Sequence, residues 1–371
     1  MSFRIDCSTI SVNNMLSTAV RESLSSVYNN SVAGVVFYGY SDKIDYHSLL
    51  QELKQSVESS LGFAVPVTLV PQHLLPSGSL QMDIYTTNGC TDITRGKVGG
   101  VCYGKIDSST ESLLFIEGIA ASDFTDSVEQ QSREVFSKLE ATLSAHNFTA
   151  ENIVRQWNYI GDIVGSRDGK QNYQEFNDAR TEYYSRSLWS YGYPAATGIG
   201  SEGSGIVVGA IAYKRGDNGG IYPIDNPLQV AAHIYSKDVL IDSRANAVKS
   251  TPKFERAKII ETERGACCFV SGTAAIRGEQ SIVGTTAAEQ TRLTIENIAH
   301  LVSKENLVKH NCKPYELKYT QLQVFIKCKD DYLSVKEVVE SYYNDVATVY
   351  TVADVCRSEL LVEIEGILIS Q

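Results

Sequence analysis

The 371-residue chain reads as an α+β fold in which a strand–helix–strand–helix unit occurs twice, each sheet backed by helices, with a pocket at the seam between the units. Three observations predict it. The segment "LLFIEGIAA" (113–121) is echoed by "CCFVSGTAA" (267–275), an apolar run that ends on Gly118 or Gly272. Downstream of each comes a stretch with helical periodicity, carried by Val135, Leu139 and Leu143 in one and by Ile295, Ile298 and Leu301 in the other. A second strand and helix then follow in both: "IVRQWNYIGDIV" with "YQEFNDARTEYYS", and "TQLQVFIKCKDD" with "YLSVKEVVESYYN", about 160 residues apart.

Taken in order, residues 1–95 form an N-terminal α/β segment. There "VAGVVFYGYS" predicts a strand, "YHSLLQELKQSVESSLG" a helix and "VPVTLVPQ" another extended piece, a pattern that allows a degenerate third copy. Residues 96–215 form the first complete module, and 216–371 comprise linker hairpins and the C-terminal module. The Gly-rich link from about 196 to 232, broken by Pro223 and Pro227, is expected to lie over the core as hairpins and loops. Two related modules in one chain create an interface, and ligand cavities favour such places.

Composition narrows the function. Hydrophobic residues make up 43% and charged residues 21%, which excludes collagen-like or wholly disordered chains. A net charge of −11 argues against nucleic acid or an anionic membrane as partner, so an anionic ligand would need a local cluster of Arg. With no apolar run long enough to span a bilayer and no signal-like start, the chain is expected to be cytoplasmic. Eight scattered cysteines without a C-x-x-C pair suggest reduced structural thiols rather than a zinc site or a disulfide framework, and the six histidines show no ligand spacing, so no metal is implied. "GIGSEGSG" (198–205) lacks the lysine of a phosphate-binding loop and reads as loop or hairpin.

The C-terminal run "TVADVCRSELLVEIEGILIS" is more informative, because Glu363 and Glu365 lie two apart and share one face of a strand. On an edge strand both would simply face solvent. Facing the seam, they would be desolvated, and a carboxyl with a raised pKa can act as a general acid near neutral pH. Cys356 is within reach of the same space across a short turn, although composition alone favours a small buried residue over a functional thiol. Arg155, Arg167, Arg180, Arg186, Arg244, Arg256 and Arg264 are spread through the middle among Tyr173, Tyr183, Tyr193 and Tyr235; two or three aimed into one cavity would grip a dicarboxylate.

From about residue 265 onward, "FVSGTAAI", "VFIKCKDDYLSVKEVVESYY" and "VCRSELLVEIEGI" resemble a RidA/YjgF-like (chorismate-mutase-like) module. Together with "VRQWNYIGDIV", "YQEFNDARTEYY", "YPAATGIG", "NPLQVAAHIY" and "FERA", they resemble the chorismatase family across roughly 110–371. That resemblance implies an enzyme that cleaves the enolpyruvyl ether of chorismate without a cofactor, with Glu363 as general acid. It also implies pyruvate plus 3-hydroxybenzoate as products, since Cys356 and Gly272 match members of that type. Hydrolysis to a dihydroxycyclohexadienoate is the alternative. Arg180 and Arg256 match family arginines and are the expected carboxylate clamps, with Tyr235 and Lys327 as further substrate contacts. After "HIY" the family's Pro-Arg is replaced by Ser236 and Lys237, and Lys237 is expected to supply the charge. Tyr350 is aligned with the arginine that simple RidA-type deaminases use, which weakens an imine-deaminase reading; a non-catalytic module binding small carboxylates is the third reading. Two or three copies in one chain allow a monomer that mimics a trimer internally, or a homo-oligomer.

Overall fold

In a computed structural model, the described residues are 3–11, 16–25, 27, 29–39, 45–76, 79–87, 93–167, 169–203, 205–217, 219–236, 250–262 and 264–370. They form three principal sheets. The first contains β1 (Phe3–Ser11), β2 (Val32–Tyr38), β3 (Val67–Val70) and β4 (Ser79–Thr87) in the order β1-β4-β2-β3, with α1 (Leu16–Leu24) and α2 (Tyr46–Leu61). The second contains β5 (Ile93–Val98), β6 (Val101–Asp107), β7 (Ser112–Ala120), β8 (Ile153–Gly161), β9 (Ala195–Ser201) and β10 (Ile206–Lys214), ordered β9-β8-β10-β7-β6-β5, with α3 (Val128–Ala145) and α4 (Asn172–Tyr184). In the third, β11 (Ile221–Ile224), β12 (Ala257–Thr262), β13 (Gly265–Ala274), β14 (Leu317–Ile326), β15 (Thr348–Val352) and β16 (Val362–Ser370) run β11-β12-β13-β16-β14-β15, with α5 (Ala287–Leu301) and α6 (Tyr332–Tyr342). The two-residue strand His73–Leu74 joins this last sheet at β15.

The second and third sheets share one topology, strand for strand. In each, the second core strand pairs in parallel with the third and antiparallel with the last. The first sheet repeats the pattern with β1, β2, β3 and β4 and has no counterpart of the two outer strands. Local signals are duplicated too. Helices α3 and α5 both start in a capping box, Ser127 with Gln130 and Thr286 with Glu289, which satisfies otherwise orphaned N–H groups at the same place in each copy. A register shift in the β7–β10 ladder at Glu117–Gly118 recurs in the β13–β16 ladder at Ser271–Gly272; a bulge re-aims side chains, and here it does so at the sheet interfaces.

The inner faces of all three sheets pack on one another around Tyr38, Tyr85, Phe115, Trp157, Tyr213, Phe269 and Phe325, while each outer face is covered by its own helices. Polar contacts lie at the joints. Thr68 donates to the Glu117 carboxyl (2.6 Å) between the first and second sheets, and Thr351 donates to Gln72 (2.9 Å) where the first meets the third. No helix among the described residues is long and apolar enough to cross a membrane.

The Gly-rich link differs from expectation. Its first two segments are β9 and β10, buried strands of the second sheet, rather than hairpins laid over the core. They do not pair with each other: β9 pairs in parallel with β8, and β10 lies between β8 and β7. Glycine here makes room for a neighbour. A Cβ on Gly209 would stand 2.2 Å from Oε2 of Glu117.

Candidate active site

The seam between the second and third sheets is where β9 meets β13. Ala196 N–H donates to Ser271 Oγ (2.9 Å) and Gly272 N–H to Thr197 Oγ1 (3.0 Å), which brings the bulge of β13 against β9. Strand β16 runs beside β13 with Ala274 opposite Glu363, so both acidic residues of "VEIEG" face this joint. Both are buried.

The two carboxyl groups have unlike surroundings. Glu365 accepts hydrogen bonds from Arg155 Nη2 (2.7 Å) and Trp157 Nε1 (2.8 Å) and also from Thr197 Oγ1. Arg155 is 2% exposed in its side chain, so this is a buried, charge-assisted pair with three donors on one carboxylate. Glu363 has no hydrogen-bond partner among the described residues and faces a cavity. Burial, helped by the negative charge of Glu365, pushes its pKa up to about 8, against the opposing pull of Arg155 and Arg256. It is therefore a protonated carboxylic acid at neutral pH.

The cavity is lined by Gly272, Cys356, Tyr235, Arg256, Arg357 and Phe254, and on the α4 side by Gln171, Tyr173, Gln174 and Asn177. Arg256 donates through Nη2 to Val230 O (2.7 Å) and to the Tyr235 hydroxyl (2.5 Å). Arg357 is anchored on Glu279 O (2.9 Å) and Ser281 Oγ (3.1 Å). Both guanidinium carbons lie near the Tyr235 ring, 5.4 and 5.3 Å from its centroid. Two fixed cations thus share a wall with one uncharged acid, an arrangement suited to an anion that must be protonated. Burial holds the Cys356 thiol up at about 12, so sulfur is present as S–H.

Glu363, Cys356, Arg256, Tyr235 and Gly272 are brought together in this cavity. Arg180 stands behind it: fully buried, it bonds to Asn177, and its guanidinium reaches the Tyr173 hydroxyl, so two of its neighbours line the cavity while it does not. Lys327 is elsewhere. Its ammonium donates to Ser358 O (2.6 Å), lies 3.4 Å from Asp354 and borders a separate surface cleft, because it lies just past the buried end of β14. Lys237 and Arg244 fall outside the described residues. Tyr350 packs on the helix-covered face of the third sheet against Tyr332, so the comparison with a deaminase arginine has no bearing on this cavity. Sequence reading missed Arg357 and the α4 polar row of Gln171, Gln174 and Asn177. The i, i+3, i+6 spacing of these three was visible, but nothing local shows which face of α4 meets the seam.

Residues 84–212 match the family described as chorismatase FkbO/Hyg5-like, N-terminal, and residues 245–369 match endoribonuclease L-PSP. A crystal structure of a chorismatase covers 99% of both chains with a TM-score of 0.72 at 20% identity, so the two share a fold along their whole length, the first sheet included. Two curated relatives align over its larger part. A 3-hydroxybenzoate synthase of Streptomyces hygroscopicus is 34% identical over 230 residues, and a chorismatase of Streptomyces rapamycinicus is 31% identical over 224. These alignments cover 60% and 58% of this chain, and in each case 64% of the relative's own length, just under two thirds.

Proposed function

We propose that this protein cleaves the enolpyruvyl ether of chorismate, releasing pyruvate and 3-hydroxybenzoate. The observation that carries the reading is the unpartnered, protonated Glu363 facing a cavity walled by Arg256 and Arg357. Proton transfer from Glu363 to the methylene carbon of the vinyl ether converts that carbon to a methyl group and leaves an oxocarbenium ion. Pyruvate then leaves with the ether oxygen as the neighbouring C4 hydroxyl, giving up its proton, closes an epoxide over C3–C4; the epoxide opens at C4, its oxygen stays on C3 and takes a proton back, and loss of the C3 proton aromatises the ring. The carboxylate formed on Glu363 recovers a proton from the ring carbon that must lose one. The two products together contain all the atoms of chorismate, so no water is consumed overall, whereas formation of a dihydroxycyclohexadienoate adds one water. The Cys356 thiol and the absence of a side chain at Gly272 support the route without water, since both give the ring space beside the acid.

Small-molecule sites are usually about 300–1,000 Å³. The free volume in this cavity is about 60 Å³, so binding requires the wall to move outward. That exclusion of water favours a buried cationic intermediate paired with fixed protein dipoles. Three sheets closing around one core within a single chain support a monomeric enzyme.

Purified protein is incubated with chorismate in water enriched in heavy oxygen, and pyruvate and aromatic acid are measured by mass spectrometry. Equimolar pyruvate and 3-hydroxybenzoate, with no label in the aromatic product, are expected. Folded protein that releases no pyruvate overturns the reading, and a dihydroxycyclohexadienoate in place of the aromatic acid replaces it with hydrolysis.

A further inference from the structure

Behind the reaction cavity lies a second one of about 460 Å³, bordered by Thr181, Tyr184, Trp189, Tyr193, His233 and Lys253. The two share a wall. Along the extended segment 252–256, Pro252, Phe254 and Arg256 face the reaction cavity, while Lys253 and Glu255 face the second, as strand-like alternation requires. Helix α4 divides likewise, with Gln174 and Asn177 on one side and Thr181 and Tyr184 on the other.

The second cavity has an aromatic floor. The Trp189 ring lies 4.3 Å from that of Tyr184 and 5.1 Å from that of Tyr193, and the indole N–H is fixed on Tyr184 O at 2.8 Å. Trp189 has φ of +56°, a left-handed backbone that a bulky side chain adopts only at a cost, met here in presenting the ring. The polar groups are unevenly satisfied. Glu255 is occupied: its Oε1 accepts from Tyr193 N–H (2.9 Å), His233 stands 4.0 Å from Oε2, and buried Lys258 is the nearby countercharge. Lys253 has no carboxylate within ion-pair distance among the described residues; its ammonium donates to Thr251 Oγ1 (2.8 Å) and lies 5.9 Å from the Tyr193 ring. Thr181 Oγ1 and His233 Nδ1 are buried and lack a hydrogen-bond partner among the described residues. One cation without a carboxylate partner, one uncommitted hydroxyl and a floor of close-packed rings are what a flat anion needs.

We propose that this second cavity binds a planar aromatic carboxylate, its ring on Trp189 and Tyr193 and its carboxylate on Lys253 and the Thr181 hydroxyl. Because the wall is shared, occupancy restrains the outward movement of residues 252–256 that the reaction cavity requires. The aromatic product of the proposed reaction belongs to this ligand class, and would act as a feedback inhibitor from behind the active site.

The binding claim is tested without turnover, by titrating the full-length protein with benzoate, cyclohexanecarboxylate and benzamide. Calorimetry gives affinity and tryptophan fluorescence gives location, since the chain has two tryptophans and Trp157 is committed to Glu365. Saturable benzoate binding is expected, with about tenfold weaker binding of the non-aromatic and uncharged analogues. Lys253→Ala and Trp189→Phe should each weaken benzoate by about tenfold or more, with Trp189→Phe also removing the fluorescence change, while Arg357→Ala leaves both readouts intact. The proposal is overturned if benzoate does not bind, or if Arg357→Ala abolishes binding that Lys253→Ala leaves unchanged, because the ligand then sits in the reaction cavity. Circular-dichroism melts confirm that each variant is folded. If chorismate is turned over, benzoate should raise its KM in the parent and not in Lys253→Ala; if it is not, the titrations still decide the binding claim.

Discussion

Glu363 and Glu365 point from the same face of β16 into one seam, yet Glu365 is held by three donors and Glu363 by none. The contrast assigns their states. The satisfied carboxylate pairs with Arg155, and its fixed negative charge helps keep the proton on its neighbour.

Replacing the acid tests the reading most directly. Glu363→Gln preserves shape and burial but has no proton to give. Pyruvate release is expected to fall by about 10²–10⁴-fold with an unchanged melting curve, and a variant that keeps full activity removes Glu363 from the mechanism.

The neighbour should be visible in a pH profile. With the acid retaining its proton up to about pH 8, kcat/KM is expected to decline on the alkaline side near that value. Glu365→Gln removes the adjacent charge and frees Arg155, and both changes favour the ionised form of Glu363. The alkaline limb should therefore move to lower pH. An unmoved limb in a folded Glu365→Gln protein would show that Glu365 does not govern the proton.

Space at the bulge is equally testable. A Cβ on Gly272 would lie 1.9 Å from Oε1 of Glu363 and 3.1 Å from Cγ2 of Thr197, so the carboxyl must rotate away. Gly272→Ala should reduce kcat by about a hundredfold, the usual consequence of misplacing a catalytic group by an ångström, and should change the ratio of aromatic to diol product. Product analysis by chromatography checks it.

The anion wall predicts a contrast in binding. Arg256→Ala or Arg357→Ala each removes a charge-assisted contact worth about 1.5–3 kcal/mol, so KM should rise by about ten- to a hundredfold. Lys327→Ala, on the separate cleft, should leave KM unchanged.

Stability should fall as pH rises. Glu363 and Glu117 each keep their proton in the folded protein to about pH 8 because of burial, while in the unfolded chain both ionise near 4.5. Between those values the folded state binds more protons, so unfolding free energy decreases with pH by up to about 1.4 kcal/mol per unit for each group. Denaturant melts from pH 5 to 8 should show the decline, and Glu117→Gln or Glu363→Gln should flatten it.

Much was determined by sequence alone. The duplicated apolar runs, the helical periodicity after each and the repeated capping boxes are local properties of consecutive residues, and they specify the strand–helix units wherever the chain lies. The two-residue spacing of Glu363 and Glu365 likewise puts both on one face. Only the tertiary structure decided which of the two is left unpartnered, because the donors on Glu365 come from Arg155, Trp157 and Thr197, more than 160 residues away in the chain. It also placed Arg357 in the cavity and Lys327 outside it, and turned a Gly-rich link into two buried strands. Packing between sheets sets those outcomes, and pattern within a segment carries no record of the surface it will meet.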